Sequence, residues 1–270
     1  MEYAARIAPE IDRLVLAVNS DASDRTREDG GRLAAELGLE DPAWLAHYAE
    51  FLLAGELTQE LAVVRLSYAS VDAVAERLEV WRGLELIAGP PEGIEATPRL
   101  VPLLRTVLDG RASVGRELWS SVQSFGPAAD LVEQVVAGIP ERFRLAAAHR
   151  ALPPPSDEYL AFHQRLTTLR YVRSQAHVEA WRSHDLTGEQ IKTMTALWRE
   201  EAAEGAPGLG DLVARGLAFE DGSGLTVDGA RMRQQIEADT NRTTEPVFLS
   251  MDEDDRENLL VDLARLPGSS

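Results

Sequence analysis

Cysteine is absent from this chain, which removes disulfides, thiolate metal sites and thiol nucleophiles from consideration. Lysine is almost absent: of the 27 basic residues only Lys192 is one, a usage that points to a GC-rich genome rather than to a mechanism. No apolar run approaches the ~20 residues a membrane span needs. The N-terminal stretch MEYAARIAPEIDRL carries Glu2, Arg6, Glu10 and Asp12 where a signal peptide would need an apolar core. The expectation is a cytoplasmic protein with no membrane partner. Positive charge is in deficit, 27 basic residues against 45 acidic ones for a net −18. Such a balance favours solubility and repels phosphate backbones unless a basic patch survives locally. Also missing are a nucleophile elbow, a phosphate loop, a Rossmann glycine pattern and a metalloprotease motif, so no motif names a reaction or a cofactor. GPPEG and DGSG read as hairpin turns. The acid run MDEDD (251–255) lacks the spacing of a calcium loop and reads as the start of the last helix, where negative charge suits the dipole.

What is present is helical. The chain has 270 residues, 44% of them hydrophobic, enough for two modest domains or one large one. Apolar residues recur at helical spacing through most of it. Residues 3–18 predict a helix, 19–31 a polar connector or exposed helix end, and 43–54 an apolar helix after Asp41-Pro42. An internal echo organises the rest. Residues 76–110 read helix, Arg82-Gly83-Leu84, short strand, turn, short strand, helix; residues 210–240 repeat that order around Arg215-Gly216-Leu217. Each glycine follows a helix where a left-handed cap is wanted. Helix, hairpin, helix is the pattern of a winged helix-turn-helix. The expected fold is therefore mainly α with short β-hairpins as wings near 85–97 and 217–227. Two winged helix-turn-helix modules, residues 1–150 and 151–270, are joined by long helices. ALPPPS (151–156) breaks the chain between them.

The helix expected from about Asp157 to His184 carries the strongest candidates for chemistry. Stepping about 100° per residue from His163, Tyr159, His163, Arg170, Ser174, His177 and Trp181 fall on one line between apolar flanks. Gln164, Arg165, Thr168, Gln175, Glu179, Arg182 and Ser183 lie opposite, on an expected wet face. The His/Arg/Trp line therefore points inward. A buried guanidinium cannot deprotonate, so Arg170 needs a carboxylate, backbone carbonyls or an anionic ligand beside it. The line reads either as a polar seam satisfied within the protein or as the wall of a ligand pocket. A zinc site from His163, His177 and His184 is disfavoured by steps of about 10 Å along the axis, and no metal is expected.

Several segments, GRASVG (110–115), SFGPAADLVEQVVAGIPERF (124–143), AAAHRALPPP (146–155), LRYVRSQAHVEAW (169–181) and LVARGLAFEDGSGLTVDGARMRQQIEADT (212–240), together resemble an actinobacterial helix-turn-helix family related to MarR-type winged-helix proteins. The resemblance covers about half the chain. It implies a winged-helix fold with an interior site, and Arg111, Arg170, Arg173 and His177 as the positions lining that site. This chain has Gln175 where the family is expected to carry Asp, and His149 where it is expected to carry Asn.

Three readings of function follow. The first is a winged-helix scaffold that holds a small organic molecule, anionic or oxygen-rich, in an internal pocket within specialised metabolism. Its ligand-binding residues would be Arg111, Tyr159, His163, Arg170, Arg173, His177 and Trp181. The second is a MarR-like ligand-responsive regulator. Charge opposes it: seven acids against Lys192, Arg199 and Arg215 leave residues 187–221 four charges negative, and residues 58–99 are three negative, whereas a DNA-reading wing and helix want arginine and lysine. A homodimer could still assemble basic residues from elsewhere. The third is a cofactor-independent enzyme, with His163 or His177 as the candidate acid/base and Arg170 or Arg173 on a developing oxyanion.

Overall fold

The computed structural model describes every residue except 1, 122–124, 202 and 269–270. Helices α1 (Tyr3–Arg25), α2 (Arg27–Glu36), α3 (Ala43–Ala46), α4 (Ala49–Ala54), α5 (Gln59–Arg65) and α6 (Val71–Gly83) precede a two-stranded antiparallel sheet, β1 (Ile87–Ala88) and β2 (Glu95–Ala96). There follow α7 (Val101–Leu118), α8 (Gly126–Ala137), α9 (Arg144–Arg150), α10 (Glu158–Ser183), α11 (Gly188–Trp198), α12 (Leu209–Ala214), α13 (Val227–Phe248) and α14 (Glu253–Arg265). The fold is thus mainly helical with one small sheet among the described residues, where no helix is long and apolar enough to cross a membrane.

Of the stretch 19–31, expected as a polar connector or an exposed helix end, residues up to Arg25 are the exposed end of α1, and α2 begins at Arg27. Ile7, Ile11, Leu14, Val15 and Val18 bury the inner face of α1, and the polar residues after Asn19 extend the helix into solvent. The apolar segment 43–54 breaks where one helix was expected. Tyr48 leaves helical geometry (φ −115°, ψ 2°) because its ring is buried and its hydroxyl donates to the Ala62 carbonyl on α5 at 2.9 Å. The MDEDD run does open the last helix, with Asp252 accepting the Asp255 amide at its N-cap.

The two helix–hairpin corners correspond two residues away from the register that Arg-Gly-Leu suggested. Gly83 stays helical and Glu85 takes the left-handed conformation (φ 57°), whereas Gly216 takes it directly (φ 70°). The closing hydrogen bonds match: Leu86 N–H to Trp81 O at 2.9 Å and Leu217 N–H to Leu212 O at 2.8 Å, the long bond of a Schellman cap. The first hairpin pairs Ile87 with Ala96 and Ala88 with Glu95, and Leu57 bridges Ile94 from the other side. In the second, a single antiparallel bridge joins Ala218 to Leu225. Gly89 at the first turn has φ 89°, and a Cβ there would stand 2.1 Å from the Gly93 carbonyl oxygen, so only glycine fits.

Helix α10 is the central element, packed against α13, α1, α9, α7 and α8. Asp157 caps it by accepting the Leu160 amide. From Phe162 to Leu169 it is enclosed on nearly every side, which corrects the wet face expected from periodicity: Gln164 and Thr168 are buried under α8 and α9. Only its C-terminal half keeps exposed residues there, Glu179, Arg182 and Ser183. One apolar core draws on Tyr3 to Ala176 and returns at Val247 to Leu266. A second, smaller core spans Val178 to Ile236 around α11, α12 and the start of α13.

Candidate functional site

Two cavities meet beside α10. The first, about 540 Å³, lies among α1, α2, α3, α7 and α10. Val15, Leu45, Leu103, Leu104 and Val107 give it an apolar wall, and Asn19, Arg111, His163, Thr167 and Arg170 supply polar groups. Asn19 Oδ1 and Thr167 Oγ1 on its wall are buried and make no hydrogen bond among the described residues, and the buried His163 ring has only a weak contact with the Val15 backbone. Buried polar groups are normally paired, so their convergence on one cavity is informative. His163 is almost wholly enclosed. Burial, then the positive charge of Arg111, lowers its pKa to about 3 against the opposing pull of Glu50, with the Val15 backbone adding only a weak raising effect. The ring is neutral at pH 7, with one donor and one acceptor to offer.

Behind His163 stands a buried histidine–carboxylate contact. His149 Nε2 meets Glu50 Oε2 at 2.8 Å, and His149 Nδ1 meets Thr168 Oγ1 at 2.8 Å. Burial alone would raise the Glu50 carboxyl; the facing His149 and Arg111 outweigh it and hold the group well below the usual carboxylate range. Arg111 itself donates to the Ala46 carbonyl at 3.1 Å.

The second cavity, about 560 Å³, is polar and lies between α5 and the Tyr68 turn on one side and α11 and α13 on the other, with α10 as its floor. Arg170, Arg173, Ser174 and His177 face it from α10. Arg170 lines both cavities, as do His47, Arg65 and Tyr171. Its Nε donates to Asp12 Oδ1 at 2.7 Å, with both side chains about one-third exposed (33% and 39%). Arg173 donates to Asn241 at 2.7 Å and to Glu237 at 2.6 Å. His177 meets Thr240 Oγ1 at 3.2 Å. Burial first, with help from Arg233 and Arg173 and against Glu237, lowers its pKa to about 4.

The expected ligand-binding residues are therefore divided. Arg111, His163 and Arg170 stand on the first cavity; Arg170, Arg173 and His177 on the second. Tyr159 packs edge-on against Phe125 at 5.5 Å, and Trp181 sits in the smaller core with Tyr68 at 6.2 Å. No group of three His, Cys, Asp or Glu side chains among the described residues could hold a metal ion; His184 turns instead toward Asp239 at 3.6 Å. Sequence reasoning missed Asn19, His47 and Arg65, which reach α10 only through tertiary packing and carry no local signal, and Thr167, which lies on α10 one turn after His163 and was within reach of the same helical geometry. His149 was marked by the resemblance alone.

A family model described as a helix-turn-helix family matches residues 95–267, from the second strand of the hairpin through α14. No curated protein and no solved structure matches the chain.

Proposed function

The chain belongs to the helix-turn-helix family, and on that footing we propose that it is a tandem winged-helix protein that holds a small anionic organic molecule in the cavity beneath α10. Two parallels support the tandem reading. Leu57-Thr58 and Leu186-Thr187 each precede a helix that the threonine caps, by accepting the Leu61 and Gln190 amides. Each helix is followed by a second helix, a left-handed corner and an antiparallel hairpin, paired at Ile87/Ala96 and Ala88/Glu95 in the first case and at Ala218/Leu225 in the second. Modules of residues 1–150 and 151–270 then share α10 as their common strut, an arrangement compatible with a MarR-type relation.

The convergence of unpartnered polar atoms on the first cavity carries the ligand reading. Each such group costs about 1–3 kcal/mol while unmet, and a ligand offering both hydroxyl or amine donors, for the Asn19 and His163 acceptors, and oxygen acceptors would recover that cost. Arg111 and Arg170 favour negative charge on it, and the leucine and valine wall favours an apolar body. Calorimetric titration with aromatic and aliphatic carboxylates tests the reading against Thr167→Leu, which fills the cavity. Binding should weaken about tenfold or more with little change in melting. Binding that survives the filled cavity would refute it.

Family membership favours a second reading, a ligand-responsive regulator. Against it, α12 carries Asp211 as its only charge, and the exposed turn after it is Glu220-Asp221. Sequence-selective nanomolar binding in a mobility-shift assay would promote it. The histidines argue against acid/base catalysis at neutral pH, because a base near pKa 3 or 4 is poorly matched to that task.

A further inference from the structure

The second cavity inverts the electrostatics of the chain. In a protein of net charge −18, its wall gathers Arg65, Arg170, Arg173, Lys192, Arg199 and Arg233 against Asp12 and Glu237 alone. Those two acids are already engaged. Asp12 takes Arg170 at 2.7 Å; Glu237 takes both Arg173 at 2.6 Å and Arg233 at 2.5 Å. Arg65, Lys192 and Arg199 have no carboxylate partner among the described residues. Arg65 donates to the Tyr171 hydroxyl at 3.1 Å and shares 3.0 Å with His47 Nδ1, and Lys192 lies 5.8 Å from the Tyr68 ring. Arg233 is 8% exposed, and its buried Nε has no hydrogen-bond partner among the described residues. The only lysine of the chain stands on this wall.

Gathering cations in one recess is unfavourable unless something negative answers them. His47, exposed to the cleft, is lowered to about 4 by the protein packed around it and then by Arg65, Arg111 and Arg170. A single carboxylate would return one charge to a wall with an excess of four cations over acids, and one phosphate monoester returns about two. Guanidinium forks suit phosphoryl oxygens, which accept them in pairs. The two cavities also share Arg65, Arg170, His47 and Tyr171, so a molecule seated in one borders the other.

We propose that the cleft between the two helix-turn-helix units binds a phosphate-bearing head group, of the diphosphate class, on a molecule whose apolar body occupies the adjoining cavity. This deepens the ligand reading and rests on it for the apolar body alone. Three probes separate the parts in calorimetric titrations of the full chain: inorganic pyrophosphate, dodecyl phosphate and dodecanoate. Lys192→Gln with Arg199→Gln removes two exposed cations that hold no ion pair, so folding is preserved. The double variant should weaken pyrophosphate and dodecyl phosphate by about tenfold or more, and the wild-type affinities should fall as salt rises. Thr167→Leu should weaken dodecyl phosphate and dodecanoate yet leave pyrophosphate unchanged. Pyrophosphate binding that the double variant loses supports the cleft, even where Thr167→Leu proves silent and the apolar cavity falls. Wild type binding neither phosphate probe more tightly than the double variant overturns the proposal, whatever dodecanoate does. So does duplex DNA binding that the double variant abolishes while pyrophosphate does not bind.

Discussion

Replacing Arg170 separates a ligand-facing cation from a structural one. Its Nε holds Asp12 at 2.7 Å, but about one-third of each side chain remains in contact with solvent. A fully buried pair would lose about 3–5 kcal/mol when one partner is removed; a pair this wet is worth about 0–1 kcal/mol. Arg170→Met keeps the aliphatic stem and deletes the charge. Its expected cost is therefore about 1 kcal/mol or less, a fall of about 2–4 °C in Tm for a chain of this size. Binding should respond far more. Hydrogen bonds to charged groups are worth about 1.5–3 kcal/mol, so an anionic probe such as dodecyl phosphate should lose about tenfold or more in affinity.

Urea unfolding and calorimetric titration on the same preparations decide between these outcomes. A double-mutant cycle with Asp12→Asn isolates the pair itself, and its coupling should not exceed about 1 kcal/mol. A stability loss of about 3 kcal/mol or more with unchanged affinity would refute the reasoning. It would mean that Asp12 is left stranded in low dielectric and that Arg170 belongs to the fold rather than to a ligand.

His149→Leu should be much costlier, about 3–5 kcal/mol by urea unfolding, because it strands the buried Glu50 carboxylate; adding Glu50→Gln should recover part of the loss. His163 and His177 have folded pKa values of about 3 and about 4, below the ordinary 6.5, so the unfolded chain binds the extra protons. Stability should therefore fall as pH drops from 6.5 toward 4.5, by up to about 1.4 kcal/mol per pH unit for each histidine, and His163→Phe should flatten that slope. Gly89→Ala forces both a left-handed alanine and a clash with Gly93 O, at a cost of about 1–3 kcal/mol. Hydrogen exchange at the Ile94 amide, bonded to Leu57 O at 2.7 Å, should accelerate first.

Elements whose cause is local were legible in the sequence. Asp157 and Asp252 cap α10 and α14 where acid precedes a periodic run, and Gly216 turns the chain left-handed after its helix. The side of α10 that faces a cavity was legible as well, because helical geometry places His163 and Arg170 on one line. Neighbour-dependent features were not. The Tyr48 kink exists for the Ala62 carbonyl, and Thr168 is dry only because His149 arrives beside it from α9. The Arg-Gly-Leu echo misled by two residues. At the first corner Glu85 supplies a positive φ that composition assigns to glycine, and the adjacent Gly83 took the credit. Arg65 and Lys192 carry no periodic signal, since a cationic recess is formed by elements far apart in sequence.

Net charge and local charge answer different questions in this protein. The acids of the hairpin turns, Glu92, Glu220 and Asp221, are exposed, and with them the surfaces that a DNA-reading winged helix would present are negative. Six cations by contrast converge on the cleft under α5, α11 and α13, against two acids. At physiological salt a charge is screened beyond about 8 Å, so a small anion inside the cleft meets Arg65, Arg170 and Lys192 before it meets the distant surface acids. A duplex must instead dock against the outer faces and meets the acids first. The same net −18 therefore discourages a long polyanion, while the cations gathered between α5, α11 and α13 favour a compact one.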